Sequence, residues 1–548
     1  MINSGPWVST PAGRRRLVIP EGPQDLPVFD SILHSRGVTS ENRAAFLSPE
    51  YKDLTPWSLW PAAENVVRRL FKAVELKEAI HIHSDYDVDG ITSLVMIKAV
   101  LDLLGAQVTF SLPHRFEEGY GLHPSHVDEA VHHGARLLLT ADNGATAHES
   151  LDMAIQKGLD PIVLDHHLCD GKTIPGVLMC NPAVEAPEPL KHLAAAGVAM
   201  KVAQGLAEMG KLAINPDSFL RLATMGTLCD QVPLLGENRT ITSLGLKALN
   251  SPTNLFLTAL YKVSGVRLPI STTDITFRIG PRINAAGRLG DARRVVDYFL
   301  CRDSEAARHA AEELDRENRL RQGLQDQVTR EALERIASDD PVAVLYDPDW
   351  HYGVLGIAAA KVVQSTGRPA ILLTKEGTSL KGSGRSIPGV DLHAAIHPFS
   401  SFLLSFGGHA MAIGLSLEEK DLGPFSLALQ EYLARIGTDG LSAIEVDAVL
   451  SIDDLTPELL ADLQKLQPCG PGNREPLFAS TMVTLDAPVQ RFGNGHLRSN
   501  LRGQVRSMPF IFWNGEECTP LPESCSILYH VDFWNHTPRV SMKGYVTP

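Results

Sequence analysis

The sequence has few of the features that mark secreted or membrane-spanning proteins. Its 548 residues include only seven cysteines, and no two of them form a Cys-x-x-Cys pair. An odd, scattered set of this kind argues against a disulfide framework and against a zinc ribbon. No run of about 18 apolar residues occurs, and the N-terminus lacks the apolar stretch of a signal peptide. We therefore expect a soluble, cytoplasmic protein without a membrane segment.

An excess of positive charge is also absent. The chain has 50 Lys and Arg against 64 Asp and Glu, which gives a net charge of −14. Because a phosphate backbone attracts local positive charge, this balance argues weakly against a polyanionic ligand. It still allows an enzyme that confines its basic side chains to one groove and holds metal ions in an acidic centre. The 20 histidines make metal ligands worth seeking.

Length and composition indicate a globular protein of several domains. Hydrophobic residues make up 44% and charged residues 21%, which excludes a disordered or fibrous chain. At about 100–200 residues per domain, this length corresponds to three or four domains. We divide the chain into an irregular lead-in with helical pieces (1–75), an α/β domain (76–302), a long connecting helix (303–338), a smaller α/β domain (339–440) and a β-rich barrel or sandwich (441–548).

Short apolar runs in the first α/β domain alternate with helical stretches. Strands are predicted over 79–83, 108–112, 136–140 and 161–164, and three of the four are followed by polar clusters. Short buried strands of this kind are typical of a parallel sheet. Ligands of such sheets collect at the carboxyl ends of the strands. The sequence therefore predicts a parallel α/β sheet with a functional site at that edge.

The densest polar cluster follows the first of these strands. Asp85, Asp87 and Asp89 alternate in the sequence Asp-Tyr-Asp-Val-Asp-Gly. Three carboxylates so close together repel one another unless a cation lies among them. A solvated acidic turn would explain the same pattern. The cluster also resembles a calcium loop, but the glutamate that ends such a loop is missing.

Two further polar clusters end predicted strands, and a third candidate ends an apolar helical stretch. They are Asp142, the run Asp165-His166-His167, and Asp230. Each alone also fits a helix cap or a surface residue, but at one sheet edge a shared metal site is the simplest explanation. Asp and His ligands without thiolate suit Mn²⁺ or Mg²⁺ better than structural zinc. Two such ions about 3.5–4 Å apart would activate water against a phosphoryl group, as in a hydrolase.

The order of these motifs resembles that of the DHH phosphoesterase superfamily. Its four motifs are matched by Asp85-x-Asp87-x-Asp89-Gly90, Asp142-Asn143-Gly144, Asp165-His166-His167 and Asp230. Other segments narrow the resemblance to the RecJ branch of single-strand-specific 5′→3′ DNA exonucleases; they are 113–122, 236–239, 281–288, 350–353, 382–386, 407–409, 468–473 and 495–498. The resemblance implies a DHH catalytic domain, a connecting helix, a DHH-associated domain that binds nucleic acid, and a C-terminal OB-like domain.

The resemblance also implies a set of metal ligands. Two divalent cations, Mn²⁺ or Mg²⁺, would be held by Asp85, Asp87, Asp142, His166 and Asp230. Asp89 would belong to the same acidic cluster, Asp165 would orient a ligand imidazole, and His167 would touch the scissile phosphate. His81 and His83 stay open, because a histidine on this strand is a ligand in related phosphatases but also fits a buried strand position.

Nucleic-acid contacts are implied at eight positions, namely Tyr120, Arg282, Asn284, Arg288, Ser383, Arg385, Ser386 and His409. The two arginines 282 and 288 would grip a phosphate bidentately. The segment around Arg385 would wrap a second phosphate with backbone N–H groups. Tyr120 and Phe116 would stack on bases, as aromatic residues of single-strand binders do.

The function implied is that of a metal-dependent exodeoxyribonuclease acting in DNA repair and recombination. It would release mononucleotides from single-stranded DNA by phosphodiester hydrolysis, with single-strand-binding protein and a helicase as further partners. One alternative is a DHH phosphodiesterase that acts on short oligoribonucleotides or cyclic dinucleotides, although such chains usually lack the β-rich C-terminal region. A non-catalytic DNA-binding relative is a second alternative, but here every expected Asp and His position is filled.

Overall fold

The computed structural model describes residues 6–11, 13–19, 26–114, 119–169, 171, 174–251, 254–336, 340–436, 443–493, 495–534 and 537–546. The chain forms two compact units, each assembled from separate stretches of sequence. The central unit comprises Thr39–Arg321 and Leu466–Arg474, and the flanking unit comprises Met1–Val38, Gln322–Lys465 and Glu475–Pro548. Among the described residues, no helix is long and apolar enough to cross a membrane.

The central unit is built on a five-stranded parallel sheet. In spatial order its strands are Val108–Ser111, Ile80–Ser84, Leu137–Ala141, Asp160–Leu164 and Leu178–Cys180. The inner strands are almost wholly buried, which explains why Leu137–Ala141 and Asp160–Leu164 are mostly apolar; Ile80–Ser84 is equally buried but alternates isoleucine with His81 and His83. The predicted parallel α/β sheet is therefore confirmed, and its four predicted strands end within about one residue of the expected positions, whereas the edge strand Leu178–Cys180 was not predicted.

Helices cover this sheet and extend beyond it. They are Arg43–Leu47, Pro61–Leu76, Val88–Leu103, Pro124–His132, His148–Gln156, Ala195–Met209, Pro216–Asp230, Gly236–Leu249, Leu255–Ser264, Thr272–Asp274, Gly280–Leu289 and Arg293–Leu300, with a π-helix over Ile275–Ile279 and short 3₁₀ turns over Tyr51–Asp53, Trp57–Leu59 and Glu188–Leu190. The helix that follows the first acidic motif is apolar on nearly every side. Such a helix must be buried, and it packs against the helices that begin at Ala195 and Pro216.

A single long helix, Ser304–Arg335, leaves the central unit and continues into the flanking unit. Its 32 residues correspond to a length of roughly 50 Å. Within the central unit, ion pairs fix its first half. Arg294 pairs with Glu313 and Glu317, and Arg282 pairs with Asp315.

The flanking unit contains a second five-stranded sheet that is mostly antiparallel. Its strands are, in spatial order, Leu403–His409, Ala412–Glu418, Ser379–Arg385, Ala370–Glu376 and Ala343–Tyr346, and only the last pair is parallel. The accompanying helices are Tyr352–Thr366, Leu392–Ile396 and Leu422–Ile436, with 3₁₀ turns over His397–Phe402 and Glu419–Asp421. The smaller unit of strands and helices expected after the long helix is therefore present, but its sheet is mostly antiparallel, as in an α+β unit.

The rest of the flanking unit is a β-rich assembly that draws on both ends of the chain. Its strands are Trp7–Thr10, Gly13–Val18, Ala443–Glu445, Ala448–Val449, Phe478–Ala479, Val483–Leu485, Gln490–Phe492, His496–Arg502, Ser507–Phe512, Ser524–Cys525, Ile527–Trp534 and Thr537–Val546; helices Val28–Ser35 and Pro457–Gln464 and turns Ile452–Asp454 and Gly515–Cys518 accompany them. The β-rich C-terminal region is thus confirmed.

The N-terminal residues differ from the irregular lead-in that the sequence suggested. The strand Trp7–Thr10 pairs with the last strand of the chain, so that Val8 lies opposite Val546. The strand Gly13–Val18 pairs with Ala443–Glu445. These partners lie more than 400 positions away, and a local pattern of residues carries no information about such pairing.

A buried ion pair tests how the central unit is held together. Lys201 and Glu237 form an ion pair and are both fully buried, and the backbone of Thr55 donates to Glu237 and accepts from Lys201. Lys201→Met leaves the carboxylate buried without its cation, so we expect it to cost about 3–5 kcal/mol of folding free energy. Chemical denaturation followed by circular dichroism measures this loss. The double variant Lys201→Met/Glu237→Gln should recover part of it; a double variant less stable than both singles would contradict the prediction.

Candidate metal centre

The first acidic motif forms a tight turn between a strand and a buried helix. The strand Ile80–Ser84 ends just before Asp85, and Asp87 caps the helix Val88–Leu103. The Asp87 carboxylate accepts the backbone N–H groups of Asp89 and Gly90 at 2.9 and 3.1 Å. A side chain on Gly90 would begin 2.5 Å from the carbonyl oxygen of Asp85, so only glycine fits there. The turn therefore places the carboxylates of Asp85, Asp87 and Asp89 together at the N-terminus of this helix.

The second motif places Asp142 directly after the end of a strand. Asp142 follows the strand Leu137–Ala141 and has a φ of +63°, which is uncommon for a residue with a side chain. The turn is fixed by Thr140, whose hydroxyl donates to the carbonyl of Asn143 at 2.7 Å, and by Gly144 at a φ of +105°. The Asp142 side chain is buried, and its Oδ1 has no hydrogen-bond partner among the described residues.

The third and fourth motifs meet the first two around the ring of His166. Its Nε2 lies 3.3 Å from Asp142 Oδ1, 3.4 Å from Asp230 Oδ2 and 3.8 Å from Asp89 Oδ2. Three overlapping sets have ligand atoms within 4.8 Å of one another: Asp85, Asp87 and Asp142; Asp89, His166 and Asp230; and Asp142, His166 and His167. All five residues expected to ligate metal, together with Asp89 and His167, are thus brought together at the carboxyl edge of the sheet.

The electrostatics of this cluster favour a cation. Burial, followed by repulsion from neighbouring carboxylates, raises the pKa values of Asp89 and Asp142 well above the usual range. The same two causes raise the pKa of Asp230 to about 6. Burial and the neighbouring His167 lower the pKa of His166 to about 4, which keeps a lone pair on its ring. A divalent ion would relieve the repulsion and accept that lone pair, so the donor set fits such an ion.

The pKa of His167 is shifted in the opposite direction to that of His166. Nδ1 of His167 donates to Asp165 Oδ1 at 2.7 Å. Burial opposes protonation of this ring, but the bond to Asp165 outweighs it and raises the pKa of His167 to about 9. Asp165 is itself held by the backbone N–H groups of Ala145, His166 and His167. Asp165 therefore orients the imidazole of His167, which lies beside the acidic cluster and belongs to one of the three sets of candidate ligands.

Two further residues take roles that the sequence did not indicate. Tyr120, expected to stack on bases, donates a hydrogen bond from its hydroxyl to the carbonyl of Asp142 at 2.9 Å. The same hydroxyl oxygen lies 3.1 Å from Nδ1 of His167. Asp89 accepts the backbone N–H groups of Ala195 and Ala196 at 2.8 and 2.9 Å. Asp89 therefore also fixes the start of the helix Ala195–Met209, where the helix dipole favours a carboxylate.

The predicted nucleic-acid residues of the central unit contact protein groups. Arg282 donates to Asp315 from Nε at 2.9 Å and from Nη2 at 2.7 Å. Asn284 accepts the backbone N–H of Val88 at 3.1 Å, which ties its helix to the first acidic motif. Arg288 lies on the same helix, Gly280–Leu289. Asp315 was not predicted, because nothing near it in the sequence points to Arg282.

The predicted nucleic-acid residues of the flanking unit lie on or beside its smaller sheet. Arg385 donates to Ser383 Oγ at 3.0 Å and to the carbonyl of Gly384 at 2.7 Å. The Ser386 hydroxyl is buried and donates to the carbonyl of Val390. His409 ends the strand Leu403–His409 and accepts the N–H of Met411. Phe116 lies outside the described residues.

His81 and His83 belong to a separate buried cluster. The two ring nitrogens of His81 lie 2.8 Å from Thr109 Oγ1 and 2.9 Å from Ser111 Oγ. His83 lies 3.0 Å from the same Ser111 hydroxyl and stacks on His126 at 4.0 Å. Burial lowers the pKa of His81 to about 4. Neither ring belongs to the three sets of candidate ligands among the described residues, which favours the strand interpretation.

Comparison with protein families divides the chain in the same order. The DHH family N-terminal domain matches residues 79–227, the DHHA1 domain matches 339–435, and the RecJ OB domain matches 446–544. The crystal structure of RecJ in complex with Mn²⁺ from Thermus thermophilus superposes with a TM-score of 0.82 at 29% identity, covering 95% of this chain and 76% of that chain. The Mg²⁺ complex from the same organism gives a TM-score of 0.75 at 27% identity, covering 95% and 75%.

Curated relatives carry the name single-stranded-DNA-specific exonuclease RecJ. That of Salmonella typhimurium is 35% identical over 87% of this chain and 87% of its own length. That of Escherichia coli is 35% identical over 82% and 83%. The Bacillus subtilis relative is 34% identical over 90% of this chain, which spans only 63% of that longer protein. With its domains, its site and its full-length relatives in agreement, the chain belongs to the RecJ family of DHH phosphoesterases.

Proposed function

We propose that this protein is a metal-dependent exonuclease specific for single-stranded DNA, which releases mononucleotides in the 5′→3′ direction. The observation that carries the proposal is the convergence of buried carboxylates on the neutral ring of His166, at the sheet edge where parallel α/β proteins bind ligands. Relatives named as single-stranded-DNA-specific exonucleases support the substrate, and relatives solved with Mn²⁺ and Mg²⁺ support the metals. The direction is the one implied by the resemblance of the motifs to the RecJ branch.

The candidate ligands have separate tasks in this proposal. Asp85, Asp87, Asp142, His166 and Asp230 would hold two divalent cations. When bound, such ions polarise the phosphodiester and make water nucleophilic at neutral pH. Asp89 would keep the cluster in place through the backbone N–H groups that it accepts.

His167 would supply a proton-bearing group on the substrate side. Asp165 fixes the orientation of this ring through the bond to Nδ1, and that bond raises the pKa of His167. A preorganised donor of this kind stabilises the negative charge that develops on the phosphate. Tyr120 would keep the ring in position, since its hydroxyl lies against both His167 and the backbone of Asp142.

An anion site in the flanking unit would hold the DNA backbone. Arg385 and Ser383 lie beside Gly356, where a side chain would begin 2.8 Å from Nη2 of Arg385. Gly356 belongs to the first turns of the helix Tyr352–Thr366, and a helix start attracts anions. A guanidinium, a hydroxyl and backbone N–H groups together form a phosphate site.

The wider role stays a prediction from the family. It comprises action in DNA repair and recombination, a cytoplasmic location, and cooperation with single-strand-binding protein and a helicase. A RecJ-type OB domain over 446–544 favours DNA over the short oligoribonucleotides or cyclic dinucleotides of the alternative.

The first test uses single-stranded DNA labelled at one end or the other, incubated with the protein and Mn²⁺. We expect immediate release of labelled mononucleotide from the 5′-labelled strand, and late release from the 3′-labelled strand. Duplex DNA and short RNA of the same sequence serve as controls and should be spared. Cleavage confined to short RNA or dinucleotides would transfer the protein to the alternative function.

The second test removes one carboxylate of the cluster. Asp142→Asn should lower the cleavage rate by at least about a hundredfold. Even substitution of a residue that only hydrogen-bonds to a metal ligand typically lowers metal affinity or activity 10–100-fold. Without metal, the variant should melt at or above the temperature of the wild type, because the substitution relieves repulsion among buried carboxylates. Added Mn²⁺ should raise the melting temperature of the variant less than it raises that of the wild type. Asp152→Asn, an exposed acid, is the control. Unchanged cleavage by Asp142→Asn would remove the metal centre from the proposal.

The third test concerns the anion site. Arg385→Ala should weaken binding of single-stranded DNA and lower the slope of log Kd against log salt by about 0.7–1, the effect of one lost phosphate contact. Fluorescence anisotropy at several salt concentrations, without divalent metal, measures both quantities. Lys375→Ala removes an exposed charge from the neighbouring strand and should change them less. Equal effects of the two substitutions would contradict a built phosphate site.

A further inference from the structure

A short segment from the C-terminal part of the sequence belongs to the central unit. Residues Leu466–Arg474 follow the helix Pro457–Gln464 and precede the strand Phe478–Ala479, both in the flanking unit, yet the segment itself packs with Thr39–Arg321. We call Leu466–Arg474 the returning segment. Specific contacts must hold the returning segment in the central unit, because ordering these residues costs conformational entropy.

Arg239 provides one group of these contacts. Its guanidinium is almost completely buried and donates to three successive carbonyls of the returning segment, those of Leu466 and Pro468 from Nη1 and that of Gln467 from Nη2, at 3.0–3.2 Å. Its Nε donates to the carbonyl of Phe46, and the group lies 3.8 Å from the Phe46 ring. The planar fork of arginine suits this task, which lysine could not perform.

The other face of the returning segment contacts the loop that follows Asp230. The N–H of Leu234 donates to the carbonyl of Pro471 at 2.7 Å. Gly472 has a φ of +73°, and a side chain there would begin 3.0 Å from Leu235 and 3.1 Å from Pro233. The segment and the loop 232–235 therefore share a backbone hydrogen bond, and the side chains of the loop leave little room for a side chain at Gly472.

The same loop follows Asp230 almost directly in the chain. Asp230 is the last residue of the helix Pro216–Asp230, and Gln231 ends that helix in a left-handed conformation with a φ of +60°. Such a conformation is unfavourable for glutamine, so the surrounding structure must maintain it. Residues 232–235 are held from the other side by Asn238, whose amide donates to the carbonyl of Pro233 at 3.0 Å.

We propose that the returning segment is a positioning element of the metal centre. By fixing the loop 232–235, it holds Asp230 Oδ2 at 3.4 Å from Nε2 of His166, ready to share a cation. The segment contributes no ligand and touches no reacting group, so its effect is on the affinity for metal. The inference rests on the proposed function of that centre, and it gives the C-terminal part of the chain a role in catalysis in addition to DNA binding.

The test compares two glycines of the central unit in the full-length protein. Gly472→Ala places a methyl group against the loop after Asp230. Gly265→Ala introduces alanine at a similar φ of +67°, where a side chain meets nothing within 4 Å. Both substitutions carry the same kind of backbone strain, but only the first changes the loop.

Calorimetric titration with Mn²⁺, without DNA, is the main measurement. We expect Gly472→Ala to bind Mn²⁺ about tenfold more weakly than the wild type, and Gly265→Ala to bind it as the wild type does. In metal-free protein, amide hydrogen exchange over 231–236 should be faster in Gly472→Ala alone. Excess Mn²⁺ should restore its rate of single-stranded DNA cleavage, which a general loss of folding would not allow. If Gly472→Ala does not fold, Gly470→Ala is used instead, since its methyl group would meet the flexible side chain of Leu234.

The outcomes separate the inference from the function on which it rests. Equal Mn²⁺ affinity and equal exchange in the Gly472→Ala or Gly470→Ala variant and in the wild type would overturn the positioning role, while cleavage by the wild type would leave the exonuclease intact. Equal losses of Mn²⁺ affinity in Gly472→Ala and Gly265→Ala would also overturn the positioning role, because backbone strain alone would then explain the weaker binding. A wild type that neither binds Mn²⁺ nor cleaves DNA would refute the proposed function and the inference together.

Discussion

Repulsion among buried carboxylates is the constraint on which the central unit depends. Asp89 and Asp142 are both buried within reach of one histidine ring, and burial strengthens their repulsion because little water screens it. The fold compensates the carboxylates that organise the site: Asp89 receives two backbone N–H groups, and Asp165 receives three and the proton of His167. The carboxylate of Asp142 keeps an oxygen without a hydrogen bond among the described residues. A cation would remove the part of the free-energy cost of burying these carboxylates that the protein's own hydrogen bonds do not compensate.

This arrangement requires the surrounding helices to approach closely. Gly226 lies against the carboxylate of Asp89, and Gly287 lies against Tyr86, where a side chain would begin 3.2 Å from the Tyr86 carbonyl. Asn284 adds a hydrogen bond from the same helix to the start of the acidic turn. The helix Gly280–Leu289 is thereby fixed directly to the turn that carries Asp85, Asp87 and Asp89. Any phosphate held by this helix would have a defined distance to the candidate metals, which is what an in-line reaction requires.

The sheet and the acidic cluster could be predicted because each depends on neighbours in sequence. Buried parallel strands are apolar runs, and the polar residue that ends each run lies at a known edge. The missing parts depend on distant partners. The strand that begins at Trp7 pairs with the end of the chain, Arg282 turns to Asp315, and the segment that begins at Leu466 returns to the central unit. Hydrophobic periodicity and turn residues describe only local conformation, so they cannot reveal such partners.

The internal arginines also explain how an acidic protein can act on a polyanion. Arg282 and Arg294 bind carboxylates, so part of the positive charge of the chain is neutralised within the fold. Attraction must therefore be local. Two divalent cations held by the Asp and His cluster would bring four positive charges to the point where the phosphate reacts. The net charge of −14 then poses no obstacle, because the acidic residues that create it include those that gather the cations.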